Sequence, residues 1–391
     1  MQEVIKREIL VKIKPFYNSP EAIIITGMRR TGKTTLLKFI YDEVGPNNKI
    51  FLDLENILNR SIFEEKNYEK IKFSLEALGI DFHKRPIIFL DEIQLAKNLP
   101  SVAKYFIDHY KVKFFLTGSA SFYLKNFFSE SLSGRKYIFE LSPISFREFL
   151  LFKKPKLRLP ENSYKITEPI FKLFSDLYDE YILWGGFPEV VLKNNAQEKK
   201  KSLENVFSSF FELEVLQLGD FKRNDIVKNL MFLLMGRIGS KLDIQKLSYE
   251  LGVSRQTIAQ HVSFLESTYF IKIIRPFSRS KDTEIRKTPK VYACDSGLIN
   301  CFAKVSDGAL FENAVFQNLR LKGETNYYQR KSGAEIDFIL DKKTAFEVKI
   351  KPTPQDFNKL KKISSQLKLK KFYLVSKTFS SLPSVKYGFL L

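Results

Sequence analysis

Short apolar runs bounded by polar turns punctuate the first third of the chain. Ile23 to Thr26, Ile50 to Leu54, Ile87 to Leu90 and Lys113 to Thr117 have the length of strands. They lack the apolar–polar alternation of a sheet with one wet face, which predicts strands buried on both sides. Helical spacing separates them, as in Lys33 to Ile40, and strand alternating with helix predicts a parallel sheet in the α/β class. After Pro143 the strand signal fades. Leu150 to Val215 reads as helical, broken at Pro160, Pro169 and the turn Trp184-Gly185-Gly186-Phe187-Pro188. From Leu242 to Ile274 the pattern changes to two short helices and a turn, followed by the apolar run Tyr269 to Ile274, the order of a winged helix-turn-helix. Beyond it, strands are predicted at Lys290 to Ala293, Asn326 to Gln329, Glu335 to Leu340, Ala345 to Ile350 and Lys371 to Val375. Helices at Phe311 to Leu321 and Gln355 to Leu367 complete a second α/β unit.

At 391 residues the chain exceeds one ordinary core. The expected division is 1–150 for the first α/β domain, 151–235 for a helical lid or linker, 236–288 for the winged helix and 289–391 for the second α/β domain. A composition of 44% hydrophobic and 28% charged residues is that of a globular protein, and no run of about eighteen residues is free of charge. No membrane association is expected. The first residues, Met-Gln-Glu-Val-Ile-Lys-Arg-Glu, lack the layout of a secretory signal, so the expected location is cytoplasmic. The two cysteines, Cys294 and Cys301, form no metal-binding pair and read as packing residues. The formal charge of +20 favours polyanionic partners, nucleic acid first.

Gly27-Met28-Arg29-Arg30-Thr31-Gly32-Lys33-Thr34 matches G-x-x-x-x-G-K-[ST] between a predicted strand and a predicted helix, the context that a phosphate loop requires. Backbone amides of Gly27, Arg29, Arg30, Thr31 and Gly32, with Lys33, Thr34 and Thr35 at the positive end of the helix, would cradle the phosphates of ATP. Lys33 would reach the β- and γ-phosphates, and the Thr34 hydroxyl would bind Mg2+. The strand Ile87 to Leu90 delivers Asp91 and Glu92 at its tip, where open α/β sheets take ligands. Asp91 would position Mg2+, and Glu92 would activate the attacking water, which argues for hydrolysis. The strand Lys113 to Thr117 runs into Gly118-Ser119-Ala120-Ser121, and Ser119 is the candidate γ-phosphate sensor. Arg135, in Leu132-Ser133-Gly134-Arg135, could approach the γ-phosphate of its own or a neighbouring subunit.

In the helix-turn-helix, the first helix ends at Gly252 and the second begins after Ser254 as N-cap. Leu247, Leu251, Ile258, Val262 and Leu265 share the inner face, while Arg255, Gln256, Thr257, Gln260 and His261 are read as outward groups that can contact DNA. Farther on, Glu312 lies on a predicted helix, Asp337 on one strand, and Glu347 and Lys349 on one face of the next. Two or three carboxylates with a lysine are the set that binds magnesium and activates water against a phosphodiester, the arrangement of PD-(D/E)xK nucleases.

These residues, with the strings G-M-R-R-T-G-K-T-T-L-L, L-D-E-I-Q, L-T-G-S-A-S, L-S-G-R, L-S-P-I-S-F-R-E-F, G-G-F-P-E, V-Y-A-C-D-S-G-L, F-E-N-A-V, G-A-E-I-D-F-I-L and F-E-V-K, resemble a prokaryotic, especially archaeal, family of AAA+ P-loop ATPases. That family carries a C-terminal winged helix and a restriction-endonuclease-like domain. The resemblance spans nearly the whole chain. It implies an ATPase domain, a helical part, a winged helix and a nuclease-like fold, with Arg135 as an arginine finger. The resulting expectation is a Mg2+-dependent ATPase whose nucleotide state controls its hold on DNA. The alternatives are a STAND-type regulatory switch acting on protein partners and an ATP-regulated, metal-dependent nuclease. Expected partners are DNA, further copies of the chain and a protein partner.

Overall fold

The four expected runs become β1 (Ala22–Thr26), β2 (Lys49–Asp53), β3 (Ile87–Asp91) and β4 (Lys113–Gly118). The computed structural model describes residues 5–391 except 46–47, 120–131, 161–165, 218, 220, 222, 279, 281–283, 285–286 and 331–332. A fifth strand, β5 (Lys136–Glu140), joins them in the parallel order β2-β3-β4-β1-β5. It escaped the pattern because it is an edge strand, with half-exposed Lys136, Tyr137, Phe139 and Glu140 around an exposed Ile138. Strand parity sorts the side chains into two cores. Ile24, Ile88, Leu90 and Leu116 pack with α3 (Ile57–Glu64), α4 (Tyr68–Ala77) and α5 (Leu99–Tyr110). Ile23, Ile25, Phe89 and Phe115 pack with α1 (Leu10–Ile13) and α2 (Lys33–Glu43). Burial of each such side chain contributes roughly 1.5–3 kcal/mol. Both faces are therefore dry, as the unalternating runs predicted.

This sheet belongs to a unit comprising the chain up to Ser142 together with Ser267–Tyr269; Pro143–Glu266 and Phe270–Leu391 form a second. The second unit opens with helices: α6 (Phe146–Lys153), α7 (Glu168–Trp184), α8 (Pro188–Val191), α9 (Ala196–Phe210) and α10 (Asn224–Met235). Ser145 and Glu148 form a capping box that starts α6, satisfying amides that the helix itself leaves open. Next come α11 (Ile244–Leu251), α12 (Arg255–Ser267) and a two-stranded antiparallel sheet of β6 (Ile271–Ile274) and β7 (Lys290–Ala293). Lys290 to Ala293 were expected in the sheet of the last α/β segment. Their pairing with β6 corrects that assignment. After α13 (Ser296–Phe302) and α14 (Asp307–Leu319) comes the mixed sheet, in the order β12-β11-β10-β9-β8. Its members are β8 (Thr325–Gln329), β9 (Glu335–Leu340), β10 (Thr344–Lys349), β11 (Lys371–Ser376) and β12 (Val385–Tyr387), with α15 (Pro354–Gln366) before β11. No helix among the described residues is long and apolar enough to cross a membrane.

Two of the sequence strings prove to be halves of one clasp. The buried Asp295, which caps α13, accepts from Gly186 N at 2.7 Å and Leu298 N at 3.1 Å. Gly185, at φ 74°, passes so close that a Cβ there would lie 2.0 Å from Asp295 Oδ1. G-G-F-P-E and D-S-G-L are thus explained by packing.

Candidate functional site

The loop after β1 is shaped by backbone contacts before any ligand is considered. Leu141 N donates to Thr26 O at 2.7 Å, and a Cβ on Gly27 would lie 2.2 Å from Leu141 O. Only glycine fits there. Arg30 at φ 65° and Gly32 at φ 93° turn the chain back into α2, which begins at Lys33. The fully buried Thr31 donates through Oγ1 to Met28 O at 2.8 Å. Arg7 pins the loop by donating to Thr31 O and Ser142 O, both at 2.8 Å. The Lys33 ammonium donates to Gly27 O and Met28 O at 3.0 Å, folded over the loop it would share with a phosphate. Arg29 is half-buried and Arg30 exposed, and Thr34 (half-buried) and Thr35 (exposed) occupy the first turn of α2. Its helix dipole presents about half an elementary charge of positive potential.

The tips of β3 and β4 complete the arrangement. Asp91 is buried, and its Oδ1 accepts from Thr117 Oγ1 and, at 3.1 Å, from Glu92 N. Glu92 adopts φ 54°, a left-handed conformation that costs about 1 kcal/mol or more for a residue with a Cβ. Gln94 Nε2 donates to Glu92 Oε2 and, at 3.2 Å, to the buried Ser119 Oγ. Arg29 Nη1 lies 4.0 Å from Glu92 Oε1. The expected Asp91, Glu92 and Ser119 therefore meet at one sheet edge. Ala120 and Ser121 lie outside the described residues.

Two further acids belong here. Asp53, at the tip of β2, stands in register with Asp91. The carboxyl of Glu55 is raised above its ordinary range by burial first and then by Glu92, Asp53 and Asp91, against the pull of Arg29. Leu52-Asp53-Leu54-Glu55 repeats the strand-end acid signal of Leu90-Asp91-Glu92, and that signal could have found them. The Thr34 hydroxyl and the Asp91 carboxylate are the hard oxygen donors that magnesium takes. Few protein ligands suffice because Mg2+ keeps its waters and binds nucleotide phosphates.

Arg135 is placed elsewhere, which corrects the expectation that it could serve its own phosphate loop. Its carbonyl accepts from Ala22 N at 2.8 Å, beside the first residue of β1, and β5 runs parallel from there, pairing Lys136 with Ala22. The phosphate loop leaves the opposite end of β1, roughly 13 Å away at strand rise. The guanidinium donates to Asp108 Oδ1 of α5 at 2.8 Å.

In the second unit, Gly252 closes α11 at φ 63°, and Ser254 Oγ accepts from Thr257 N at 3.1 Å, as the turn predicted. Leu247, Ile258, Val262 and Leu265 are buried, and Leu251 is half-buried. Arg255, Gln256 and Gln260 are exposed, Thr257 half-exposed. Arg255 borders a groove that Gln245, Ser248 and Tyr249 also line on the α11 side of the turn. His261 is not outward. It is buried with its ring 4.7 Å from that of Phe221, edge-on, and burial lowers its pKa. The missing signal was Phe221, contributed by an irregular segment that periodicity does not place.

Glu312, Asp337, Glu347 and Lys349 converge as expected. Lys349 Nζ pairs with Glu347 Oε1 at 2.8 Å, Lys359 of α15 stands 3.9 Å from the same oxygen, and Val348 N donates to Asp337 Oδ2 at 2.7 Å. Burial, then repulsion from Asp337, pushes Glu312 and Glu347 each up to about 7. Burial also raises Asp337. The sequence reading missed two groups from β7. Tyr292 Oη donates to Glu312 Oε1 at 2.6 Å, and the Lys290 ammonium pairs with Glu335 within the field of Glu312 and Asp337. Among the described residues no three acids, histidines or cysteines are grouped as a metal-ligand set. These carboxylates instead face the protein's own lysines.

The parallel sheet, the phosphate loop and the acids at the strand tips define a P-loop nucleotide-binding domain. In agreement, residues 19–150 match the family model of an AAA domain, while residues 175–309 and 307–388 match two domains of unknown function. An uncharacterized protein of Methanocaldococcus jannaschii is 28% identical over 352 residues, covering 86% of this chain and 75% of its own. One from Haemophilus influenzae is 26% identical over 334 residues, covering 82% and 79% respectively. Among solved structures, the ORC1 protein of Aeropyrum pernix in complex with DNA aligns at 14% identity and TM-score 0.33, covering 80% of this chain and 94% of that one.

Proposed function

We propose that this chain is a magnesium-dependent ATPase that holds DNA through the α11–α12 winged helix and the C-terminal domain, with nucleotide state controlling the hold. The observation that carries the ATPase reading is the phosphate loop, in which Gly27 and Lys33 stand beside Asp91, Glu92 and Ser119 at one sheet edge. Thr34 and Asp91 would hold the magnesium ion, which when bound supplies charge neutralisation to the phosphates. Lys33 binds the β- and γ-phosphates, and Ser119 registers the γ-phosphate. Glu92 takes a proton from water as the water oxygen bonds to the γ-phosphorus; the β–γ bridging bond breaks and its electron pair leaves with ADP. Arg135, at the far edge, is assigned to a neighbouring subunit's nucleotide in a homo-oligomer. The exposed Arg255, Gln256 and Gln260 and the charge of +20 support the DNA reading.

The test is ATP hydrolysis with and without DNA at low salt. Turnover is expected to depend on Mg2+, to rise with DNA, and to fall at least ~100-fold in Lys33→Ala and Glu92→Gln. Turnover indifferent to every DNA form but altered by a protein partner would instead establish the STAND-type switch.

A further inference from the structure

Gln94 stands two residues past the carboxylate assigned to water activation. Its amide nitrogen serves two acceptors, Glu92 Oε2 and, at 3.2 Å, Ser119 Oγ, so one side chain spans the tips of β3 and β4. Its carbonyl oxygen is different. Gln94 Oε1 is buried with no hydrogen-bond partner among the described residues. A buried acceptor left unmet costs about 1–3 kcal/mol, on top of the left-handed backbone of Glu92. Two unfavourable features side by side at a catalytic edge are those of a turn completed by its ligand.

We propose that Gln94 is the positioning residue for the attacking water: its carbonyl accepts one O–H of the water while Glu92 accepts the other. This deepens the ATPase reading and rests on it. With both hydrogens directed at fixed acceptors, a lone pair of the water oxygen is aimed at the γ-phosphorus. In the reaction the O–H bond to Glu92 breaks and its proton moves to the carboxylate. The new O–P bond forms as the β–γ bridging bond gives its electrons to ADP, and the O–H held by Gln94 stays intact. The amide nitrogen keeps Glu92 in line with Ser119, linking water activation to the γ-phosphate sensor.

Steady-state hydrolysis by Gln94→Met, of similar length but without the amide, tests this against wild type and Glu92→Gln. Gln94→Met is expected to lower kcat by roughly 10- to 100-fold, the scale of a misplaced reactant. KM, the Kd for Mg-ATP and the unfolding temperature should stay within twofold or a degree or two of wild type. Restoration of most of kcat by Gln94→His, whose ring can both donate and accept, would support positioning over simple packing. If Glu92→Gln abolishes turnover while Gln94→Met retains it, or if Gln94→Met loses nucleotide affinity in parallel with kcat, the positioning role is wrong and the ATPase reading stands. Absence of turnover in wild type, or full turnover in Glu92→Gln, would overturn that reading and this inference with it.

Discussion

Glu312 and Glu347 are carboxylic acids held where ionisation is disfavoured. Burial and the neighbouring Asp337 push both up to about 7 from an ordinary value of 4.5, against the pull of Lys290 on the first and of Lys349 and Lys359 on the second. Asp295, raised to about 6 by burial despite its backbone donors, acts in the same direction. Each acid binds its proton more tightly in the folded chain than in the unfolded one, so over this range the native state carries more protons. Stability therefore falls as pH rises. The contribution of the two glutamates is full below about pH 4.5 and is lost as pH rises through about 7. The single tryptophan, Trp184, lies in the second unit, and its fluorescence reports the unfolding of that unit alone. Its thermal midpoint is expected to be several degrees lower at pH 8 than at pH 6, corresponding to roughly 1–3 kcal/mol. Glu347→Gln should reduce that slope. A midpoint that is flat or rises over this interval in the wild-type protein would refute the assignment.

At the scale of elements, α12 shows why some of the site was legible and some was not. Its inner face follows the 3.6-residue period, so Ile258, Val262 and Leu265 could be placed from the sequence alone. His261 adjoins that face, and whether it turns in or out is decided by Phe221 on an irregular stretch. His261→Ala is therefore expected to lower the stability of the second unit by about 1–3 kcal/mol, as for lost packing in a core, with DNA affinity unchanged once the protein is folded. The double change Gln256→Ala and Gln260→Ala should leave the unfolding midpoint within a degree and weaken DNA binding about tenfold or more. The reverse pattern in thermal melts and binding titrations would remove α12 as the reading helix. The same logic runs through the sheets. β1, β3 and β4 are central and buried on both faces, so their apolar runs announced them. β5 and β12 are edge strands, where solvent permits polar residues and the signal weakens. The phosphate loop was legible because its glycines answer local backbone demands, such as the approach of Leu141 to Gly27. Lys290 and Tyr292 were not, because they reach Glu335 and Glu312 from a strand whose sheet was misassigned.

For the whole molecule the governing quantity is charge. Lysines and arginines number 64 against 44 acids, and several acids are already committed to lysines, as in Lys349–Glu347 and Lys290–Glu335. Exposed cations such as Arg255, Lys351, Lys361 and Lys362 can replace the condensed counterions of a polyanion. Each neutralised phosphate contributes roughly 0.9 to the slope of log affinity against log salt, so a footprint of about four to six phosphates predicts a 10²–10³-fold loss between 50 and 200 mM salt. This separates electrostatic footing from sequence reading. Arg255→Ala should reduce the slope by about one unit, whereas the neutral changes at Gln256 and Gln260 should lower affinity at a constant slope. Nucleotide control makes a further demand, since Lys33→Ala removes ATP binding and should leave the slope near that of the nucleotide-free protein with or without ATP. Fluorescence anisotropy of labelled duplex over a salt series measures all of these quantities together. A slope near zero in the wild-type protein would mean that its positive charge is merely solvated, and ATP turnover would then have to act on a partner other than DNA.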